Sequence, residues 1–193
     1  MPILGVIASG ISGHLTNPAF DSISTSTLGT AAASISFSSI PTTYSHLQIR
    51  GLGRSSAAAE LQDIRIQFNG DTAANYMLHR VGSQGGAAAA HHYLGSTGVT
   101  YTYPGLPLPS AGQTAAIWGS AIIDIPDYNS ANKNKSIKTF GGYSTLNVSG
   151  NNYSYFGAGT WLNTAAITSI LLYPSSGNFT AGTTYALYGI KGA

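Results

Sequence analysis

The segment IRIQFNGDTAANYMLHR, residues 64–80, holds the densest set of side chains in this sequence that could do chemistry: Arg65, Asp71, His79 and Arg80. Three chemistries are conceivable for it. The first is calcium binding. Asn69, Asp71 and Asn75 offer oxygens around a turn and Asp63 lies close in sequence. Calcium takes about six to eight such oxygens, and this segment has neither an acidic cluster nor a bidentate Glu. An Asn-Gly-Asp turn accounts for the same residues: Gly70 supplies a positive φ and Asp71 caps the turn. The second is zinc, from His79 with His91 and His92. Neighbouring residues of a strand point to opposite faces, and these spacings match no zinc signature. The third is catalysis by a nucleophile with a base, or by two carboxylates. The chain has no Gly-x-Ser-x-Gly elbow and its single Glu is Glu60, so a glycosidase pair flanking one cleft is not apparent. No catalytic, cofactor-binding or metal-binding residue is expected.

Carbohydrate binding is the sharper alternative. Sandwich domains stack sugars on exposed aromatic faces, and Tyr153, Tyr155 and Trp161, with Tyr101, Tyr103 and Tyr143, are candidates. The same aromatics on alternating strand positions would also fill a core or an intersubunit seam.

The elements that must position these residues read as β throughout. Leu47 and Ile49 alternate with His46, Gln48 and Arg50, and Ile64, Ile66 and Phe68 alternate with Arg65, Gln67 and Asn69. AAIWGSAIIDI (115–125) is nearly continuous apolar, as a central strand buried on both faces would be. SYFGAGTW (154–161) places Tyr155, Gly157, Gly159 and Trp161 on one face, and ITSILLY (167–173) and TYALYGI (184–190) complete the set. Turn signals at 69–71, 126–135, 149–152 and 174–178 divide the chain into nine or ten strands. SSAAAEL (55–61) suggests a single helical turn; GSQGGAAAAHH (82–92) reads as a long loop or as a strand edge packed against a neighbour, and the region around 82–112 as a whole as a long loop. Many short strands without helices predict an all-β antiparallel sandwich, jelly-roll-like, spanning 16–193, preceded by an N-terminal arm or first strand at 1–15.

Composition narrows the class of partner. The 193 residues include only 8 Lys+Arg and 6 Asp+Glu, 7% in all, against about 25% in ordinary soluble domains. A net charge of +2 from scattered residues is no nucleic-acid footprint. The absence of Cys excludes disulfides and thiolate metal sites. The apolar stretch MPILGVIASGISGHL lacks a basic n-region and is too short to span a bilayer, so no membrane partner is expected. A surface this poor in charge resists association weakly, which favours an obligate assembly of copies. Ile3, Leu4, Ile7, Ile11, His14 and Leu15 of the arm are the expected partner contacts. Arg50, Arg54, Arg65 and Arg80, half the basic residues, are expected to join them. If 46–54 and 62–70 pair antiparallel, Arg50 and Arg65 share an outward face.

ISGHL (11–15), IPTTYSHLQIRGLGRS (40–55), IQFNGDTAANYMLHR (66–80), AIIDIPDYNSANKNKSIKTFGGY (121–143) and GTWLNTAAITSILLYPSSGNFTAGTTYALYGIKGA (159–193) occur in that order. Together they resemble a group of tailed-phage virion structural proteins, for which IPTTYSHLQIR and the closing ALYGIK are typical. The resemblance covers most of the chain, and 82–112 departs from it as a lineage-specific loop. It implies a small jelly-roll or sandwich without catalytic residues, either a capsid decoration (cement) protein or a fibre or baseplate component. The decoration reading makes the chain a homotrimer on the head exterior, with the major capsid protein or other virion proteins as partners. The fibre or baseplate reading makes it a module that recognises host surface carbohydrate.

Overall fold

In the computed structural model, residues 19–93, 98–102, 105–145 and 152–192 are described. Among them are twelve strands and no helix: β1 (Phe20–Thr27), β2 (Ile35–Phe37), β3 (His46–Gly53), β4 (Leu61–Phe68), β5 (Tyr76–Gln84), β6 (Ala87–Tyr93), β7 (Pro107–Pro109), β8 (Gly119–Pro126), β9 (Lys135–Tyr143), β10 (Tyr153–Trp161), β11 (Ile170–Pro174) and β12 (Thr184–Ile190). They form two antiparallel sheets. The larger has eight strands in the order β1-β12-β3-β8-β9-β10-β5-β6, and the smaller has four in the order β2-β11-β4-β7. The fold is therefore the all-β antiparallel, jelly-roll-like sandwich that the alternating pattern implies.

Period-two patterning decides which side chains meet between the sheets. The larger sheet sends in Leu47, Ile49, Ile123, Ile125, Ile137 and Leu187, and the smaller sends in Ile64, Ile66, Phe68, Ile170 and Leu172, all buried. Trp161 stacks near Tyr76 (ring centroids 6.4 Å apart) and tilts against Phe68 (5.6 Å). Lys135 is also buried, held by three backbone carbonyls: its Nζ donates to Ser130 (2.7 Å), Lys133 (2.7 Å) and Thr164 (2.9 Å). Three charge-assisted bonds offset much of its desolvation, and burial still pulls its pKa below the usual lysine value.

Several expectations change. Residues 64–80 are not a hairpin: β4 lies in the smaller sheet and β5 in the larger, so 69–75 is an arch between layers. The Asn69–Gly70 turn itself is as expected, with φ of 51° and 67°. The region 82–112 is not one long loop. β5 runs on to Gln84, turns at Gly85–Gly86, both at positive φ, and returns as β6; β7 follows. Alanine and glycine hid this hairpin because they give no apolar alternation. Residues 57–60 form bends, not a helical turn. β8 is central, but only its alternate residues Gly119, Ala121, Ile123 and Ile125 are buried, because nothing among the described residues covers the outer face of the larger sheet. The arm residues Ile3, Leu4, Ile7, Ile11, His14 and Leu15 lie outside the described residues.

The burial pattern sets a contrast between neighbours in β10. Trp161→Ala is expected to destabilise the fold by about 3–5 kcal/mol, whereas Phe156→Ala, half-exposed on the outer face, should cost only about 1 kcal/mol. Urea midpoints of the two variants check this. Equal losses would mean that the assignment of faces is wrong.

Candidate interaction face

The outer face of the larger sheet carries three parallel lanes, each fixed by cross-strand register. The middle lane is apolar. Val81 of β5 pairs with Phe156 of β10, Phe156 with Phe140 of β9, and Phe140 with Ile122 of β8. Arg50 of β3 closes the lane opposite Ile122. Val81 is 51% exposed and both phenylalanines 54%. Directly opposed residues sit about 5 Å apart, so these side chains form one continuous stripe, not scattered apolar positions.

The lane on one side is made of hydroxyls and a glycine: Ser83, Ser154, Gly142 and Ser120 in register, ending at Leu52, 50% exposed. Here the surface sinks into a groove of about 390 Å³ bounded by Phe140, Asn152 and these serines. Gly142 forms its floor. A Cβ there would lie 2.4 Å from the Tyr153 carbonyl oxygen, so no larger residue fits without moving the strand. On the other side lie His79, Ala158, Lys138, Asp124 and Gln48. Asp124 accepts a hydrogen bond from Gln48 Nε2, and Gln48 Oε1 accepts one from Arg50 Nε. Arg50 also lies 5.5 Å from the ring centroid of Phe20. A second groove, of about 480 Å³, opens between Arg50, Leu52, Trp118, Thr184 and Tyr188.

The four arginines do not act together. Arg50 alone lies on this face. Arg65 is on β4, in the other sheet, so the two cannot share an outward face; it stacks on Tyr101 at 4.0 Å. Arg54 clamps a loop, its guanidinium donating to the carbonyls of Gln113 (2.8 Å), Thr114 (3.1 Å) and Ile117 (2.9 Å). Arg80 is buried over the Tyr155 ring (4.5 Å) and pairs with Asp63 at 2.7 Å, joining β5 to β4 and so one sheet to the other. Arg54 and Arg80 are both engaged within the fold, Arg80 fully and Arg54 with part of its surface exposed. The proposed sugar platform is corrected as well. Tyr153 and Tyr155 are buried, and so is Trp161. They occupy the inward phase of β10, and the outward phase belongs to Phe156.

The aspartates are likewise committed. Asp71 accepts from Trp161 Nε1 (2.7 Å), Asn75 Nδ2 (2.9 Å) and the Ala73 amide (2.9 Å). Those donors, Asn75 foremost, hold its carboxyl below the ordinary value. Asp21 pairs with Lys191 (2.8 Å), and Asp127 pairs with Lys133 (2.7 Å), which lowers the Asp127 pKa. No group of three His, Cys, Asp or Glu able to hold a metal occurs among the described residues. In the arch, Tyr76 donates to the Asp71 carbonyl (3.0 Å) and accepts from the Phe68 amide (3.0 Å); burial pushes its hydroxyl up to about 12.

No family model matches the chain, and no curated protein sequence matches it. Among solved structures, Caenorhabditis elegans galectin LEC-6 aligns over 92% of this chain and 99% of its own, at 5% identity and a TM-score of 0.31. The CBM40 of the Ruminococcus gnavus IT-sialidase bound to α2,6 sialyllactose aligns over 86% and 92%, at 11% identity and a TM-score of 0.31. The same module bound to α2,3 sialyllactose gives 86%, 91%, 9% and 0.30. Likeness this distant carries no argument about function, and the sandwich assignment stands on the strand pairing above.

The Asp71 constellation predicts an acid limb in stability. A carboxyl depressed in the folded state contributes stability that is present above its unfolded value, near 3.8, and is lost as pH falls through the folded value. Asp71→Asn is therefore expected to lower stability at pH 7 and to show a smaller drop than the parent as pH falls from about 5 toward 2, within the range over which a carboxylate with a depressed pKa loses its contribution. Urea midpoints across that range provide the check, and parallel curves would exclude the role given to Asp71.

Proposed function

We propose that this chain is a non-enzymatic structural protein of a tailed-phage particle, a head decoration protein that seats on other virion proteins through the outer face of its larger sheet. One observation carries the reading: Val81, Phe156, Phe140 and Ile122 form an uncharged apolar stripe in register across four strands, uncovered among the described residues. Contiguous exposed apolar surface of this kind marks interaction sites. The segments by which the sequence resembles virion proteins suggest the setting. The absence of catalysis is supported by the acids: Asp21, Asp63, Asp71, Asp124 and Asp127 each hold a structural partner, and none lines a groove on this face. Copies arrayed on a lattice would each contribute weak contacts, and multivalency makes such contacts durable.

The hydroxyl-lined groove beside Phe140 favours a second reading, a fibre or baseplate module that holds a neutral saccharide, with the aromatic ring as platform and Ser83, Ser120, Asn152 and Ser154 as hydrogen-bonding groups. One double variant separates the two. Phe140→Ser with Phe156→Ser should leave the chain folded, at a cost of about 2–3 kcal/mol, and reduce occupancy on purified particles at least tenfold, as read by quantitative mass spectrometry at a temperature where both proteins are folded. Unchanged occupancy would refute the decoration reading. Loss of host-cell binding at full occupancy would replace it with the saccharide reading.

A further inference from the structure

Neither the apolar lane nor the groove beside Phe140 extends onto β1 and β12, where the outer face of the larger sheet has a different character. The groove there, about 480 Å³, falls within the range of roughly 300–1,000 Å³ for small-molecule sites. A smaller cleft of about 190 Å³ between Phe20, Arg50 and Tyr188 shares Arg50 and Tyr188 with it. Together they follow β12 from Thr184 to Tyr188, about 13 Å at ~3.3 Å per residue. The walls are flat and partly apolar. Trp118 and Tyr188 are half-buried, and Phe20 is 45% exposed. The Arg54 guanidinium holds the carbonyls of the loop that leads into Trp118. The indole lies against Gly182, where a Cβ would come within 3.0 Å of it.

The polar groups at this trough are unspent. Trp118 Nε1 and the hydroxyls of Thr25 and Tyr188 have no hydrogen-bond partner among the described residues. Arg50 lies where the two clefts meet. Its Nε donates to Gln48 Oε1, and Gln48 Nε2 donates in turn to Asp124, which orients the guanidinium. Neither Nη of Arg50 has a partner among the described residues. That free end of the fork presents two parallel N–H groups, the geometry that a planar carboxylate accepts bidentately. Charge selects the same group. Lys138 stands opposite Asp124, and Lys191 pairs with Asp21, so Arg50 is left to match a single negative charge. A phosphate monoester carries about −1.5 to −2 and would leave charge unmatched.

We propose that this trough binds an acidic saccharide, with the carboxylate on the Arg50 fork and the ring faces against Trp118 and Tyr188. Flat apolar walls edged by hydroxyl and N–H groups fit a ring with apolar faces and a polar rim. The Thr25 hydroxyl and Trp118 Nε1 then bond to hydroxyls of that rim. The site is separate from the serine-lined groove beside Phe140, which holds no cation.

The test titrates the free full-length protein with a galacturonate tetrasaccharide and with a tetrasaccharide of alternating glucuronate and N-acetylglucosamine, reading heat and tryptophan emission. The chain has two tryptophans and Trp161 is buried, so a change in emission reports on Trp118. At least one probe should bind saturably and shift the emission, and its carboxyl-reduced form should bind at least tenfold more weakly. Arg50→Gln should lose about tenfold or more in affinity while the thermal midpoint stays close to that of the parent. Arg50→Lys, a point charge without the fork, should recover only part of it. Trp118→Phe should keep the heat of binding and lose the emission change. The proposal is overturned if neither probe binds, if the reduced form binds equally, or if Arg50→Gln binds as the parent does. An Asp-rich peptide that binds more tightly than both probes would also overturn it, assigning the trough to a protein partner. Particle occupancy does not enter these measurements, so the virion reading stands or falls separately.

Discussion

Everything in this molecule depends on the register of four strands, β8, β9, β10 and β5. Their pairing is continuous and antiparallel, with Thr139 opposite Gly157 and Arg80 opposite Gly157 on its other side. A slip of one residue in any strand would turn its whole inward set to solvent. The same constraint that buries Trp161, Tyr155 and Ile137 lifts Phe156, Phe140 and Val81 to the outside. Core and interaction face are two consequences of one alignment. The alternation offers no outward slot for Tyr155 without an inward slot for Phe156, and an inward Phe156 would leave Arg80 without the ring it stacks on.

Scarcity of charge shapes the rest. With 14 charged residues among 193, the fold places many of them at points of architectural need. Asp63 and Arg80 tie the sheets, Arg54 binds three loop carbonyls, Lys135 binds three more, and Asp71 fastens the arch to Trp161. Each is more than an exposed surface pair, which contributes about 0–1 kcal/mol, because most of its partners are buried or backbone groups. What remains for the lane from Val81 to Ile122 and its serine flank is hydroxyl and hydrocarbon, with Arg50, Lys138 and Asp124 as the charges beside it. Such a surface has little long-range repulsion to keep neighbours apart.

Much of the fold was legible in the sequence, because strict alternation in IRIQF, HLQIR and the closing TYALYGI reflects one buried face per strand. The hairpin of β5 and β6 was not, since Ala87–Ala90 alternate nothing. The arch at 69–75 looked like a hairpin because a positive-φ Asn-Gly turn is equally useful for changing sheets, and only Asp71 reaching Trp161, far along the chain, distinguishes the two. The arginines were misread for a similar reason. Sequence proximity suggested one cluster, but β3 and β4 belong to different layers. The interaction face was within reach. In SYFGAGTW, placing Tyr155, Gly157 and Trp161 inward obliges Phe156 to face out, and in KSIKTFGGY the inward Ile137 does the same to Phe140. The aromatics first considered for a binding platform were those of the buried phase.

The energetics of the lane explain why an exposed apolar stripe suits a lattice better than a solitary dimer. Fully burying an aliphatic or phenylalanine side chain contributes about 1.5–3 kcal/mol. Val81, Phe140 and Phe156 have already lost about half their exposure to the fold, and Ile122 more. Covering all four therefore yields roughly 3–5 kcal/mol. Association in solution forfeits about 4–15 kcal/mol of translational and rotational freedom, so one such contact does not hold two free molecules together. On a lattice that loss falls mainly on the first contact, and each further contact acts at the high effective concentration set by its neighbours. A face of this size is inert in a dilute monomer and adhesive in an array.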